Sequence, residues 1–257
     1  MSAHDLLAVL SGAAVGLVLA VIGGGGSILA TPALLYLVGV SDAHVAIGTS
    51  ALAVSANALA NLFQHARRGH VMWRYGGIFA AAGVMGAAFG AGAGQHTDTK
   101  VLLPLFAVLM IVIGIAMLRR KPEGGEAIAR FEPHKVGRLI ATGVCVGTLS
   151  GFFGIGGGFL IVPGLVGATA MSMIQAIGTS LLSVSAFGAT TAATYAAGGL
   201  IDWRIAALFI GGGIVGGIAG STFAARLSQQ KSALQRIFAG VVFAVAAYML
   251  YRSFAGG

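Results

Sequence analysis

Long apolar runs alternate with short polar loops along nearly the whole chain. Six runs have about the length of one membrane span, and they are Val45–Gln64, Val71–Gly94, Val101–Leu118, Ile174–Ala197, Trp203–Ala225 and Leu234–Tyr251. Two longer runs, Leu6–Val38 and Val136–Val166, begin the two halves of the chain. None shows the strict alternation of a membrane β-barrel strand. The pattern therefore predicts an all-α, multi-pass integral membrane protein.

Each of the two longer runs contains a cluster of glycines. The clusters comprise Gly23, Gly24, Gly25 and Gly26 before Ser27, and Gly154, Gly156, Gly157 and Gly158, with Pro32 and Pro163 at matching distances beyond them. A glycine in a helix interior costs about 1 kcal/mol relative to alanine. Open backbone at membrane depth is tolerated where protein buries it or where it lines a water-filled cavity. We therefore expect the first helix of each half to be broken, as a re-entrant or discontinuous segment.

The second half of the chain repeats the first at a constant spacing. Matched positions include Gly12 and Gly143, Ala46–Ser50 and Ala176–Ser180, Trp73 and Trp203, and Gly86 and Gly216. Glycines four residues apart favour close helix packing. Such pairs are Gly12/Gly16 and Gly86/Gly90 in the first half, and Gly143/Gly147 and Gly216/Gly220 in the second. We predict two homologous repeats of about four segments each, residues 1–120 and 136–257. A cytoplasmic linker loop, residues 121–135, joins them.

The two longer runs decide whether the repeats are parallel or inverted. If each crosses the membrane, the repeats are parallel; if each is a re-entrant hairpin, they are inverted. The 33 residues of Leu6–Val38 would extend roughly 45–50 Å as a helix, against a hydrocarbon core of about 30 Å. The positive-inside rule does not separate the models, because Lys and Arg divide 11 to 4 or 12 to 3. The length favours the hairpin, and we expect inverted repeats.

Composition narrows the possible functions. Only 9% of the residues are charged, against about 25% in soluble domains, and the mean hydropathy is +0.93. The net charge of +8 comes from basic residues in short loops, which set topology and form no nucleic-acid surface. All seven acids lie in loops or at segment edges. This placement argues against an intramembrane enzyme, a metal site or a titrating carboxylate, and we expect no cofactor.

Hydroxyl groups near the glycine clusters suggest a site for an anion. Thr49 with Ser50, and Thr179 with Ser180, lie two turns into their helices. Ser172 and Gln175 resemble a capping box, so Thr179 lies roughly 10 Å along its helix, at the depth of a hairpin tip. The arms after the breaks, starting at Ser27 and Phe159, would aim helix N-termini at an oxyanion.

The predicted substrate site therefore combines the two glycine clusters with the two hydroxyl pairs. It consists of Gly23, Gly24, Gly25, Gly26, Ser27, Thr49, Ser50, Gly154, Gly156, Gly157, Gly158, Thr179 and Ser180, with Pro32 and Pro163 as structural residues at the breaks. The alternative for isolated Ser and Thr is hydrogen bonding between helices.

These motifs resemble those of a known family. The glycine cluster with Pro32 and Leu34, its copy with Pro163 and Leu165, and the paired Ala-Ile-Gly-Thr-Ser elements are similar to the sulfite exporter TauE/SafE family over essentially the whole chain. The resemblance implies a bacterial inner-membrane transporter, linked in several members to export of sulfite or small organosulfonates. Ser27 stands where the second cluster has Gly158, so the two half-sites differ.

The resemblance and the residues leave the mode of transport open. An export carrier for a sulfur oxyanion is the leading interpretation, and an anion channel or a carrier of another small organic anion is the alternative. The expected partners are a small anion and the lipid bilayer, without nucleic acid. Association into a homo-oligomer is left open by the sequence.

Overall fold

The computed structural model describes residues 3–22, 24–119, 133–154, 158–169, 171–227 and 231–255, and their regular elements are helical. The long helices are α1 (Ala3–Ile22), α3 (Ala43–Arg67), α4 (Trp73–Gln95), α5 (Thr99–Arg119), α6 (Val136–Phe153), α7 (Gly158–Thr169), α8 (Met173–Ala197), α9 (Trp203–Leu227) and α10 (Lys231–Ala255). Gly24–Leu29 and Pro133–Lys135 are 3-10 helices, α2 is the single turn Ala30–Pro32, and Ala33–Val38 is a π-helix.

Six described helices are long and apolar enough to cross a membrane by length and composition. The apolar stretches are His4–Val21, Ala43–Arg67, Trp73–Gln95, Pro133–Phe153, Ile174–Ala197 and Trp203–Gly220. The prediction of an all-α membrane protein is confirmed at this level. Gly23, Gly156, Gly157 and most of the linker loop lie outside the described residues.

Local capping residues set several helix boundaries. The Asp42 carboxylate accepts hydrogen bonds from the backbone N–H groups of His44 and Val45, at 2.7 and 3.3 Å, and so begins α3. The capping box predicted at Ser172 begins α8, because Ser172 N donates to Gln175 Oε1 at 3.3 Å. Gly154 ends α6 in the left-handed conformation, with φ of 65°, which glycine adopts without steric cost.

Two parallel helix pairs pack through glycine faces, α1 with α9 and α4 with α6. The Gly213 carbonyl lies against Gly16, and the Ala13 carbonyl lies against Gly216, so that a Cβ on either glycine would clash. The same relation holds between α4 and α6, where Thr148 faces Gly90 and Gly83 faces Gly147. The four-residue glycine spacing therefore provides close helix packing, as the sequence predicted for these positions.

The chain folds back on itself after α1. We call Gly24–Val38 the first return arm. A Cβ on Gly26 would lie 2.7 Å from Leu19 N and 2.8 Å from Val15 O, so the arm runs back along α1. At its far end the His4 ring Nδ1 is 2.7 Å from the Val38 carbonyl oxygen. The two ends of this segment therefore lie side by side.

The first return arm is not a regular α-helix. It passes from a 3-10 helix through α2 to a π-helix that follows Pro32. A proline lacks the backbone N–H that a regular α-helical hydrogen bond would use. The expected α-helix start at Ser27 is therefore wrong in detail, whereas α7 begins at Gly158, one residue from the predicted position. Irregular π-turns are frequent at functional sites.

Helices α3 and α8 form the antiparallel centre of the molecule. The Ser55 hydroxyl donates to the Ser185 carbonyl at 2.7 Å. Gly48, near the start of α3, lies against Leu200 beyond the end of α8, and Gly178, near the start of α8, lies against His70 beyond the end of α3. The beginning of each helix thus meets the end of the other.

The two ends of this helix bundle differ in charge. The end that holds the 68–72 loop carries Arg67, Arg68, Arg74, Lys135 and Arg138, and we call it the basic end. The opposite end carries Asp5, Asp42, Asp98 and Asp202 together with Lys100 and Arg204, and we call it the acidic end. The described carboxylates therefore lie outside the middle of the bundle, as the sequence predicted.

Candidate functional site

The threonines of the two Gly-Thr-Ser triplets each bind a loop of the other half. Thr49 Oγ1 accepts a hydrogen bond from the backbone N–H of Asp202 at 2.9 Å. Thr179 Oγ1 accepts one from the N–H of Met72, also at 2.9 Å. Both threonines are fully buried. Since a hydroxyl that accepts a hydrogen bond still has a proton to donate, each threonine retains a donor in the protein interior.

The serines of the triplets use their protons within their own helices. Ser50 Oγ donates to the Ile47 carbonyl at 2.9 Å, and Ser180 Oγ donates to the Ile177 carbonyl at 2.8 Å. Thr31 Oγ1 lies 2.8 Å from Ser50 Oγ. Either hydroxyl can donate in this pair, and Thr31 is the donor when the Ser50 proton is directed at Ile47. Among the four triplet hydroxyls, the two threonines are therefore better placed to donate to a ligand.

Thr31 is a residue that the sequence reasoning missed. It lies in the first return arm, is almost fully buried, and ties this arm to α3 through Ser50. Val162 occupies the matching position before Pro163 in the second half. A hydroxyl next to a proline inside an apolar run was the available signal.

The structure brings the second glycine break next to the first triplet. A Cβ on Gly154 would clash with the side chain of Ile47, two residues before Thr49. Gly26 and Ser27 are buried in the first return arm. Its 3-10 helix packs against α7, the arm that follows the second break. Both arms and the first triplet thus share one buried region of the molecule.

The remaining predicted glycines are described only in part. Gly24 and Gly25 lie in the 3-10 helix, and Gly158 is the first residue of α7. Gly23, Gly156 and Gly157 lie outside the described residues. Pro32 is buried at the end of α2, and Pro163 lies within α7. The part these residues play in binding stays a prediction.

Two asparagines of α3 are buried with unsatisfied polar atoms, and the sequence-derived site did not include them. Asn57 has no solvent exposure, and neither its Nδ2 nor its Oδ1 has a hydrogen-bond partner among the described residues. Asn61 Nδ2 donates to the Asn57 carbonyl at 3.0 Å, while Asn61 Oδ1 has no partner in the same part of the structure. Amides within an otherwise apolar run were the signal for them.

Two histidines approach each other where α3 ends at the basic end. The ring centroids of His65 and His70 are 5.8 Å apart. Burial lowers the pKa of His70, and the neighbouring Arg68 guanidinium lowers it further. His70 is therefore held in its neutral form over a wider pH range than an exposed histidine.

The described residues contain no group of three or more His, Cys, Asp or Glu side chains arranged to hold a metal ion.

At the acidic end, Arg204 Nη2 lies 2.8 Å from Asp5 Oδ2 and joins α9 to α1. A cavity of about 380 Å³ lies at this end, lined by His4, Asp42, Asp202 and their neighbours. A second cavity of about 440 Å³, between α4, α5 and α6, is lined almost entirely by apolar side chains.

Known proteins similar to this chain are membrane transporters by name. A "Probable membrane transporter protein" of Xylella fastidiosa (strain 9a5c) is 51% identical over 250 residues, covering 95% of this chain and 94% of the relative. "Probable membrane transporter protein YdhB" of Bacillus subtilis (strain 168) is 27% identical over 217 residues, covering 81% and 85%. No solved structure matches the chain.

A family model provides the assignment for the whole chain. The model of the sulfite exporter TauE/SafE family matches residues 8–249. This range includes both glycine clusters and both Gly-Thr-Ser triplets, so it covers the motifs on which the resemblance was based. The chain is a membrane transporter that belongs to the sulfite exporter TauE/SafE family.

Proposed function

We propose that the protein exports a small sulfur oxyanion, sulfite or a small organosulfonate, across the bacterial inner membrane. The observation that carries this proposal is the convergence of the first return arm and α7 beside the first triplet. The 3-10 helix of the first arm packs against α7, and Gly154 lies against Ile47. The substrate binds there, between the two glycine-broken segments.

The two halves are inverted repeats, and the first segment of each is a re-entrant hairpin. Three relations support this arrangement. The ends of the first segment meet through His4 and Val38. Helices α3 and α8 run antiparallel, and the hydrogen bonds of Thr49 and Thr179 are exchanged between the halves. Inverted repeats with broken helices are a common design of secondary transporters, whose substrates bind where the repeats meet.

The chemistry of this region suits an anion that is bound without a buried cation. Backbone N–H groups that lack helical partners beside the glycine breaks supply donors. Thr49 adds a hydroxyl proton there while its oxygen keeps the Asp202 bond. Thr179 keeps the Met72 bond at the opposite end of the molecule. The substrate-binding role of Gly23, Gly24, Gly25, Gly26, Ser27, Ser50, Gly154, Gly156, Gly157, Gly158 and Ser180 forms part of the same proposal.

The charge distribution supports loading of the anion from the basic end. With the linker loop in the cytoplasm, the basic end faces the cytoplasm, and its Arg and Lys side chains raise the local concentration of anions.

Proteoliposome flux assays with a panel of anions test this function. Purified protein should release sulfite or methanesulfonate at rates that protein-free vesicles do not reach. Gly25→Val and Gly157→Val should abolish release, because a β-branched side chain obstructs the open backbone. Gly92→Ala is the matched control, since a Cβ there meets no atom within 4 Å. If no sulfur oxyanion in the panel moves, the proposed substrate is wrong.

A channel is the second candidate, because the described carboxylates all lie at the acidic end and none is available in the middle of the bundle for coupling. Saturation of the rate and acceleration by anion on the opposite side distinguish a carrier from a channel. We expect both for this protein. A current that rises linearly with concentration, with no counter-transport, would instead establish the channel.

A further inference from the structure

We infer that Asn57 and Asn61 form a pair of amides, without an amide counterpart in the second half, that selects sulfite still carrying a proton over a fully deprotonated oxyanion such as an organosulfonate. This inference rests on the proposed function, because it takes a small oxyanion as the substrate. It adds two binding residues and the protonation state of the ligand. The comparison of Asn57 with the matching position in the second half carries the argument.

Asn57 lies in a contact that provides no partner for its amide. A Cβ on Gly213 of α9 would clash with Asn57 Nδ2, so the amide packs directly against this glycine. Asn61 faces Gly217 in the same way, with its Oδ1 3.0 Å from a Cβ placed there. Burying an amide without hydrogen bonds is strongly unfavourable. Such a group is retained where something other than the protein satisfies it in another state of the transport cycle.

The second half shows that packing alone does not require an amide. Phe187 occupies the position that matches Asn57, and it packs against Gly83, the match of Gly213. The Phe187 ring stacks on Phe79 at 6.2 Å and is fully buried. An aromatic ring therefore fills this site in the same fold without any polar atom. The amide of Asn57 supplies hydrogen bonding that the matching position of the second half lacks, although Thr191, the match of Asn61, keeps a buried hydroxyl.

The amide atoms of Asn57 and Asn61 that have no hydrogen-bond partner among the described residues indicate which protonation state of the ligand would fit. Asn57 offers two N–H donors and one carbonyl acceptor, and Asn61 offers one N–H beyond its bond to Asn57 and one acceptor. A fully deprotonated oxyanion presents acceptors only, so it would place negative oxygens against two amide carbonyls. A singly protonated oxyanion accepts from the N–H groups and donates its O–H to a carbonyl. The site therefore favours the protonated form.

The amides do not titrate, so the pH dependence of this selection follows the substrate. The described titratable or charged groups on the three helices packed here are His44, His65 and Arg67 on α3, His4 and Asp5 on α1, and Arg204 on α9. Of these, His65 alone lies within about one turn of Asn61. A His65→Gln variant therefore serves as the control for a titrating protein group.

The test measures release of sulfite from proteoliposomes with the same pH on both sides. One pH leaves sulfite mostly singly protonated and the other leaves it mostly dianionic. We expect wild type and His65→Gln to release the protonated form faster. Asn57→Leu should reduce that rate at least about tenfold, the equivalent of one hydrogen bond, and should remove the pH preference. Asn57→Phe should do the same, since a phenylalanine packs at the matching site.

Two further measurements decide the outcome. Asn57→Leu should not lower the unfolding midpoint in detergent, because it removes an unsatisfied amide. Thr190→Val should keep both the rate and the pH preference, because the Thr190 hydroxyl donates to the Ala186 carbonyl of its own helix. Normal release and normal pH preference in both Asn57 variants would overturn the inference while leaving sulfite export intact. Absence of sulfite and sulfonate release in wild type would overturn the proposed function as well.

Discussion

The Thr49 hydroxyl oxygen accepts the backbone N–H of Asp202 at 2.9 Å, 153 residues further along the chain. The matching threonine of the second half, Thr179, accepts the N–H of Met72 at the same distance. Each bond joins the start of a central helix to the loop that precedes α9 or α4. The two bonds thus connect the halves of the protein at its opposite ends.

Removing the hydroxyl at position 49 should destabilise the protein. Thr49→Val retains the shape of the side chain but leaves the Asp202 N–H without its acceptor, which costs about 1–3 kcal/mol in unfolding free energy. Thr49→Ser should retain most of the stability. Unfolding in detergent, followed by circular dichroism, provides the measurement. Thr190→Val is the control, and equal losses in the two valine variants would show that the Asp202 bond contributes nothing.

The helices could be predicted from the pattern of apolar residues. The run Val45–Gln64 is observed as Ala43–Arg67, and Ile174–Ala197 as Met173–Ala197. Both helix starts have polar caps, Asp42 and Ser172, that are recognisable from local sequence. The glycine faces of the parallel pairs were predictable too, because their spacing repeats once per helical turn.

The relation between the two ends of the first segment was not predictable from length and charge. Counts of Lys and Arg fit a crossing and a hairpin almost equally well. The contact of His4 with Val38 joins residues 34 apart, and neither hydropathy nor spacing specifies such a pair. The π-helix after Pro32 could not be predicted either, because it depends on how the first return arm packs.

That the Asn57 amide finds no hydrogen-bond partner among the described residues could not be predicted from the sequence either. An asparagine in an apolar run can hydrogen-bond between helices, and this is the usual role of such residues. Whether the amide is satisfied depends on the residue that faces it, and here that residue is Gly213, more than 150 positions away. Polar residues in an apolar run can be recognised from the sequence, but their partners are set by tertiary packing.

Cysteine labelling should locate the last turn of α7 on the cytoplasmic side. Gly167→Cys in a Cys145→Ala background is suitable, because residue 167 is exposed and a Cβ there meets no atom within 4 Å. A membrane-impermeant thiol reagent should label it in inside-out vesicles. Ser41→Cys, at the acidic end, should be labelled in right-side-out vesicles. Labelling of both variants from one side would contradict the inverted arrangement.

The stability of the protein should fall as the pH is lowered through the usual pKa of histidine. Burial and Arg68 lower the pKa of folded His70, so below about pH 6.5 the unfolded chain binds the proton more readily than the folded protein. Stability therefore rises with pH in this window and levels off below the folded pKa. His70→Gln should flatten this part of the stability profile. An unchanged profile would show that another group causes it.

Membrane potential should drive release of the anion. No described carboxylate lies in the middle of the bundle to carry a proton, and moving one elementary charge is worth about 2.3 kcal/mol per 100 mV. A potential of that size shifts the equilibrium distribution of a monovalent anion roughly 40-fold. In proteoliposomes with a valinomycin-clamped potassium gradient, a potential negative on the side that holds the anion should accelerate efflux. A pH gradient at zero potential should act only through the protonation of the substrate. Efflux that ignores the potential and follows a proton or sodium gradient would show that export is coupled, and the coupling site would then have to be sought among the backbone carbonyls of the glycine breaks.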